Sequence, residues 1–239
     1  MTDTGHSPRI RYNEGCLAAH ALNFVGDRWA LLVVRELMLR PKRFQAIRAG
    51  LPGITAAVLT TRLGQLADAG VLRHDPLDAT YALTPAGQAL HPVLVALCHW
   101  GAGQPGHDPR RFISPTALMI SMTAMIDGVA ARGRVHRAGF EIGAESFVQE
   151  LDGDGVLRLG AVASVGAGVD FVLGGDSNWL GAAVYGTAPL TALAESGMIG
   201  LRGDGAAAQD YVGLFSLQRA DAGHAVIRPP RALAPAMAG

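Results

Sequence analysis

Residues 53–71, GITAAVLTTRLGQLADAGV, decide the fold of the first half of this chain. Four apolar side chains of this stretch are predicted to share one helical face: Ile54, Leu59, Leu63 and Leu66. Their pattern predicts a helix with one buried face. The opposite face is predicted to be small and polar, with Ala57, Thr60, Thr61 and Gln65. A slim helix of this kind fits into the major groove of DNA, but most amphipathic helices of this length only pack a core.

The residues on either side of this helix complete a helix-turn-helix. Residues 42–51 are predicted to form a short helix, and Pro52-Gly53 makes a sharp turn before the longer one. Two extended segments, 71–75 and 80–83, follow and are joined by a short turn, which predicts a β-hairpin wing. Thr84-Pro85 then has the cap-and-proline pattern that opens a further helix.

Several motifs occur in the order found in one known family: Val25–Trp29 (VGDRW), Leu31–Leu37 (LLVVREL), Leu51–Ile54 (LPGI), Leu59–Leu63 (LTTRL) and Tyr81–Gly87 (YALTPAG). With these motifs, the chain from Cys16 to about Gly101 resembles the HxlR family of winged helix-turn-helix transcriptional regulators. The resemblance implies a homodimer that binds double-stranded DNA. Two recognition helices would enter successive major grooves of a near-palindromic site, with the wing against the backbone or minor groove.

The resemblance also assigns DNA contacts to individual residues. The groove-facing candidates are Thr55, Ala56, Ala57, Thr60, Thr61 and Arg62. The phosphate-contact candidates are Lys42, Arg43 and Arg73. The family commonly has a polar residue where this chain has Ala56-Ala57, so we expect little direct readout of the bases.

Charge is distributed unevenly along a chain whose formal net charge is zero. Through Gly103 there are ten Lys or Arg residues against seven acids, and beyond it ten against thirteen, giving about +3 and −3. The asymmetry is small, but its direction suggests that only the first half meets a polyanion.

The second half has a different pattern. Ser114-Pro115 opens a helix with methionines on one stripe, and short alternating segments between Val135 and Leu173 suggest an antiparallel sheet of four strands. Residues 117–219, including Ile199–Asp204 (IGLRGD), resemble the sterol-carrier-protein type of domain. That resemblance implies an apolar cavity between sheet and helices. The candidate pocket residues are Met119, Met122, Met125, Phe171 and Trp179.

Together these patterns predict an α+β chain of two domains. The winged helix-turn-helix DNA-binding and dimerisation domain, mostly α with a β-hairpin wing, is placed at residues 1–101. A linker is placed at 102–113, and an α+β sterol-carrier-protein-like ligand-binding domain at 114–221. The residues of 222–239, which are rich in Pro and Ala, are predicted to form a disordered tail.

No motif for catalysis or for a cofactor stands out. The sequence has no P-loop, no dinucleotide-binding G-x-G-x-x-G and no Ser-centred nucleophile elbow, and its histidines and cysteines do not fall at zinc-ligand spacings. We therefore expect neither an enzyme nor a bound metal or cofactor. No apolar run is long enough for a transmembrane helix and the opening residues lack a signal-peptide pattern, so we expect a cytoplasmic protein with no membrane partner.

Cys16 leaves one alternative open. In some members of the resembled family a cysteine at this position senses oxidants or electrophilic aldehydes, and Arg11 and Arg28 would favour the thiolate of Cys16 if they lie near it. The other interpretation is that Cys16 packs near a dimer interface. We favour packing because the proline that commonly follows the family's cysteine is Leu17 here. Cys98 is predicted to lie in the core.

The sequence thus predicts a DNA-binding transcriptional repressor whose second domain binds an apolar effector and shifts the population of binding-competent dimers. Two alternatives remain. One is a thiol-based redox or electrophile sensor acting through Cys16. The other is a hydrophobic-ligand carrier or sequestering protein in which the helix-turn-helix serves only for dimerisation.

Overall fold

The computed structural model describes residues 12–217, so the predicted tail at 222–239 lies outside the described residues. The chain divides into two compact units. The first contains the residues up to Leu37 and Pro41–Ala89, and the second contains Met38–Arg40 and the residues from Leu90 onward. The predicted linker at 102–113 corresponds to the loop between two helices of the second unit, His91–Ala102 and Pro115–Met125.

The first unit is a winged helix-turn-helix. Its helices are α1 (Leu17–Val25), α2 (Ala30–Leu37), α3 (Phe44–Ala49), α4 (Ala56–Asp68) and α5 (Pro85–Gln88). Its strands are β1 (Lys42–Arg43), β2 (Leu72–Asp75) and β3 (Thr80–Leu83), and they form an antiparallel sheet in the order β1-β3-β2. Helices α3 and α4 form the helix-turn-helix, and β2 and β3 form the wing.

Helix α4 has the buried face that its sequence predicts, but it begins only at Ala56, so the buried Ile54 lies before the helix. Thr55 caps its first turn, because the Thr55 hydroxyl accepts a hydrogen bond from the Val58 amide at 3.2 Å. The leucines at the predicted spacing are all buried: Leu59, Leu63 and Leu66. Gly70, at φ +69°, ends the helix in the left-handed region, and the Val71 amide returns to the Leu66 carbonyl at 2.9 Å.

Strand β1 replaces the beginning of the predicted short helix. Residues Lys42 and Arg43 are extended and pair with Tyr81 and Thr80 of the wing, so the helix begins only at Phe44. The pairing extends the predicted two-stranded hairpin into a three-stranded sheet. Because side chains alternate along a strand, Lys42 and Arg43 face opposite sides, with Lys42 buried and Arg43 exposed.

The second unit combines a sheet with helices. Its helices are α6 (His91–Ala102), α7 (Pro115–Met125), α8 (Ser177–Tyr185), α9 (Leu190–Glu195) and α10 (Gly205–Val212). Its strands are β4 (His136–Ile142), β5 (Glu145–Leu151), β6 (Leu157–Val162), β7 (Phe171–Gly175) and β8 (Ile199–Gly203), in the order β6-β5-β4-β7-β8. Side chains of α7, α8 and α10 share one buried apolar cluster with the sheet.

The prediction of a four-stranded antiparallel sheet is wrong in two respects. The sheet has five strands, because Ile199–Gly203 pairs with β7. Strand β7 also runs parallel to β4, with Ala138 opposite Phe171. The segment after β6 carries the chain past β5 and β4 to the far side of β4, and this crossover is not visible in the alternation of the strands. Strands β5 and β6 are joined by a tight turn, with Gly155 at φ +81°.

Among residues 12–217, no single helix has the length and apolar character to cross a membrane; α1 and α2 pass that test only as a pair, and they are bent by 74° at the break between them.

Candidate nucleic-acid interface

The outer face of α4 is an exposed surface of small side chains. Ala57, Thr60 and Thr61 are exposed, and Gly64 follows on the same face with no heavy atom near the position where a Cβ would lie. Val58, which the sequence analysis did not select, is 37% exposed beside them. Ala56 and the capping Thr55 are exposed at the start of the helix. The face is therefore narrow enough to lie deep in a groove.

Arg62 does not belong to this outer face. Its guanidinium lies 2.6 Å from the Asp27 carboxylate and also donates to the Gln65 side chain, so only 13% of the Arg62 side chain is exposed. The groove-facing prediction for Arg62 is therefore corrected: the side chain joins α4 to the residue that precedes α2. Asp27 and Arg62 are 35 residues apart in the chain, so local sequence patterns do not show the ion pair.

Lys42 is also corrected, because it is buried rather than available to phosphate. Its Nζ lies 3.3 Å from Glu36 Oε2, and the Lys42 side chain is 4% exposed. Arg35 donates to the other carboxylate oxygen of Glu36 at 2.9 Å and to the Gly50 carbonyl at 3.2 Å. This group of charges joins α2 to β1 and to the end of α3. Its role is to hold the helix-turn-helix against the rest of the unit.

The remaining phosphate candidates are exposed arginines. Arg43 lies at the start of α3, and its Nε donates to the Asp78 carbonyl of the wing at 3.1 Å. Arg73 is exposed on β2. Arg48 on α3 is exposed as well and was not among the sequence candidates, although the first helix of a helix-turn-helix commonly crosses the DNA backbone.

The tip of the wing has acidic rather than basic side chains. Asp75 and Asp78 are both exposed there, and Asp75 accepts a hydrogen bond from the Leu77 amide at 2.9 Å. Leu77 itself is 93% exposed. Two carboxylates at the tip repel phosphate, and Arg43, which donates to the Asp78 carbonyl, lies beside them. Arg73 pairs with Ala82 and lies nearer the base of the wing.

Two helices expose apolar stripes. On α1, Leu17 is 85% exposed and Phe24 is 42% exposed, and they share a face at helical spacing. On α6, Val93, Leu97 and Trp100 are 43%, 45% and 67% exposed at spacings of four and three. Each stripe is larger than the isolated apolar residues that monomeric surfaces usually show.

The two cysteines differ in exposure. Cys16 is exposed at the position that precedes α1, and Cys98 on α6 is partly buried. The Arg28 guanidinium lies over the Trp29 ring at 5.3 Å from its centroid. Arg11, the other arginine considered for Cys16, lies outside the described residues.

Four of the five predicted pocket residues lie in the interior of the second unit. Met119, Met122 and Phe171 belong to its buried apolar cluster, and Met125 is also buried. Trp179 is 47% exposed and is not part of that cluster.

One polar pair, missed at the sequence level, lies in the same interior. Gln149 on β5 is fully buried, and its Oε1 accepts a hydrogen bond from the Tyr211 hydroxyl at 2.6 Å. Burial raises the pKa of Tyr211, so this hydroxyl stays protonated. The amide Nε2 of Gln149 is buried with no hydrogen-bond partner among the described residues. Phe171 packs on Tyr211 with ring centroids 5.6 Å apart.

An exposed slim helix beside a second helix and a wing, with exposed arginines at Arg43, Arg48 and Arg73, defines a winged helix-turn-helix of the type that binds DNA. The HxlR-like helix-turn-helix family matches residues 24–108. A curated HTH-type transcriptional regulator of Synechocystis sp., sll1512, is 31% identical over 107 residues, which are 43% of this chain and 79% of that protein. This chain belongs to the HxlR-like helix-turn-helix family of transcriptional regulators.

Other proteins match this chain at a similar identity. The HTH-type transcriptional regulator YvaP of Bacillus subtilis is 35% identical over 85 residues, covering 34% of this chain and 79% of that protein. Among solved structures, quinone-bound YodB from B. subtilis is 31% identical and covers 35% of this chain and 93% of that chain, with a TM-score of 0.33.

Proposed function

We propose that this chain is a transcriptional repressor that binds a near-palindromic operator as a homodimer and responds to an apolar effector bound in its second unit. The observation that carries the DNA-binding part is the outer face of α4, where Ala57, Thr60 and Thr61 are exposed on a helix anchored by three buried leucines. We place its action in the cytoplasm. A sterol-carrier-protein-like second unit remains part of this proposal, supported by helices that pack with a five-stranded sheet in one core.

The test of DNA binding is fluorescence anisotropy with a duplex from the region upstream of the chain's own gene, at two or more salt concentrations. Arg48→Gln should weaken binding to every duplex and reduce the slope of log affinity against log salt by about two per dimer, since each lost phosphate contact contributes about 0.9. The control is Arg132→Gln, which removes an exposed arginine of the second unit. A wild-type protein that binds no duplex at low salt would favour the carrier alternative.

The homodimer is supported by the apolar stripes on α1 and α6, and the proposed occupant of both stripes is a second copy of this chain. Symmetric recognition of two half-sites about one helical turn apart requires such a pair. Leu97→Glu on α6 should convert the dimer to a monomer in sedimentation velocity. The matched control is Leu77→Glu, because Leu77 at the wing tip is 93% exposed and lies on neither stripe. A wild-type chain that sediments as a monomer at micromolar concentration contradicts this step.

The proposal that the second unit binds an effector is supported by the buried amide of Gln149. An unpaired buried donor is costly to a folded protein, and a ligand with a carbonyl or carboxylate oxygen would supply the missing acceptor. Tyr211, which bonds Gln149, belongs to the same buried cluster as Met119, Met122 and Phe171, and this apolar cluster favours an apolar body for that ligand. Fluorescent cis-parinaric acid is a suitable probe, and Gln149→Leu should lower its affinity about fivefold or more. Gln104→Leu, at an exposed loop position, is the control.

Saturating probe should also change the affinity of the full chain for its operator. If the probe binds and operator affinity is unchanged, the second unit does not regulate DNA binding through this ligand class. If the probe does not bind, or if it binds equally well to Gln149→Leu, the assignment of the buried amide is wrong.

The exposure of Cys16 favours a second candidate function, a thiol-based sensor. Treatment with diamide would then weaken operator binding by the wild type and not by Cys16→Ser, while Cys98→Ser would respond as the wild type does. An equal response of wild type and Cys16→Ser would remove this candidate.

A further inference from the structure

We propose that α4 reads its half-site mainly through the C5-methyl groups of thymines, so that the operator has T·A pairs at the positions that α4 covers. This inference rests on the proposed DNA-binding function and adds the chemistry by which the sequence is recognised. It follows from which side chains of α4 are free to reach the bases and which are held elsewhere.

The long polar side chains in the middle of α4 are directed away from the outer face. Arg62 is paired with Asp27 at 2.6 Å and is only 13% exposed. Gln65 accepts a hydrogen bond from the same guanidinium. The strong bidentate contacts to guanine need Arg or Lys, and those to adenine need Asn or Gln. Neither contact is therefore available from the middle of this helix.

The groups that remain on the outer face end in methyls or are glycine: Ala57, Val58, Thr60, Thr61 and Gly64. Apolar contact with the thymine methyl group is the base readout that Ala and the Thr methyl provide, whereas a Thr hydroxyl can hydrogen-bond to more than one base and so discriminates less. Asp68, at the far end of the helix, is an exposed acid that cannot approach phosphate and offers nothing to a thymine methyl. Readout is thus concentrated in the first two turns.

The spacing of these residues along α4 sets the number of base pairs that the helix can contact. From Ala57 to Gly64 the helix rises about 10 Å, at about 1.5 Å per residue. Successive base pairs are about 3.4 Å apart, so the stripe spans about three base steps. Because Gly64 has open space where a side chain would lie, the helix axis can approach the bases closely. We expect two or three thymines in each half-site.

The experiment begins with selection of operators from a random duplex library by the full-length wild-type chain. Each selected thymine in the half-sites is then replaced by deoxyuridine, which removes only the methyl group. Each replacement at a contacted position should lower affinity about fourfold, the value expected for one buried methyl or methylene group. Deoxyuridine placed between the half-sites should change affinity by less than about twofold, because no methyl is buried there.

A protein variant distinguishes direct methyl contact from an effect of deoxyuridine on DNA shape. Thr61→Ser removes one methyl group and keeps the hydroxyl. At one thymine position the Thr61→Ser chain should no longer discriminate between thymine and deoxyuridine, and it should retain discrimination at the others. If the Thr61→Ser chain still discriminates between thymine and deoxyuridine at every position, as the wild type does, the effect of deoxyuridine would be one of DNA shape and the proposal would be overturned.

Two outcomes separate this inference from the proposed function. Selection of operators whose half-sites lack thymine, or binding that is insensitive to deoxyuridine, would overturn methyl readout while leaving the regulator assignment intact. Selection that enriches no sequence, with affinity equal for all duplexes, would overturn the sequence-specific regulator and this inference together.

Discussion

Replacing Lys42 by methionine and the adjacent Arg43 by glutamine should produce opposite phenotypes, although both residues are basic and neighbours in the chain. Lys42 is buried against Glu36, whose side chain is 0% exposed. Arg43 is exposed and makes one hydrogen bond, to the Asp78 carbonyl. Lys42→Met should therefore destabilise the first unit, and Arg43→Gln should weaken DNA binding.

The structure sets the size of each effect. Removing one partner of a buried ion pair commonly costs about 3–5 kcal/mol, and because Arg35 still pairs with Glu36, we expect about 2–3 kcal/mol for Lys42→Met. In a unit of this size, such a loss lowers the melting temperature by about 10–20 °C. Arg43→Gln at an exposed position should cost less than about 1 kcal/mol of stability. It should reduce the salt slope of DNA binding by about two per dimer.

Urea unfolding followed by circular dichroism measures the first effect, and anisotropy at several salt concentrations measures the second. Both variants are compared with the wild type at a temperature where Lys42→Met is still folded, so that loss of structure is not mistaken for loss of contact. Wild-type stability and a reduced salt slope for Lys42→Met would contradict the structural role of Lys42, because Lys42 would then contact phosphate as its sequence position predicted.

Two further predictions concern stability. Gly50→Ala should destabilise the chain by about 1–3 kcal/mol through overpacking, because the new Cβ would lie 2.2 Å from Glu36 Oε2. Gly64→Ala, with open space around it, should be neutral or stabilising in the same urea assay. Burial lowers the pKa of His91 below its usual 6.5, so below about pH 6.5 the unfolded chain binds a proton that the folded chain does not. The unfolding free energy should therefore fall as pH decreases from 7.5 to 5.5, and His91→Gln should reduce that fall; an identical pH dependence in the variant would contradict the assignment.

Local patterns in the sequence predicted the parts of the first unit that depend on local interactions. The leucine spacing of α4 depends on residues three and four positions apart, and the buried face that it predicts is found in the structure. The predicted wing is present for the same reason, since a hairpin joins strands that are close in sequence.

The errors at the candidate site arise from contacts between distant residues. Arg62 was assigned to the groove because it lies next to Thr61, but its direction is set by Asp27 in another part of the unit. Lys42 was assigned to phosphate because nothing near it in the sequence shows that Glu36 is buried beside it. The parallel pairing of β7 with β4 is hidden in the same way, because a short apolar strand has the same pattern in either direction.

The ion pairs of the first unit reduce the expected contribution of charge to DNA binding. Arg35 and Lys42 share the Glu36 carboxylate and Arg62 pairs with Asp27, so the basic residues counted in the sequence overstate the charge that phosphate meets. Exposed acids also occur at Asp68 on α4 and at Asp75 and Asp78 in the wing tip. We expect an interface with so little net charge to bind non-specific DNA weakly. In the proposed dimer, affinity for the operator would then come from burying methyl groups in two half-sites at once. A chain with a slim recognition face and little net charge should therefore lose more affinity on dissociation of that dimer than a strongly basic one does.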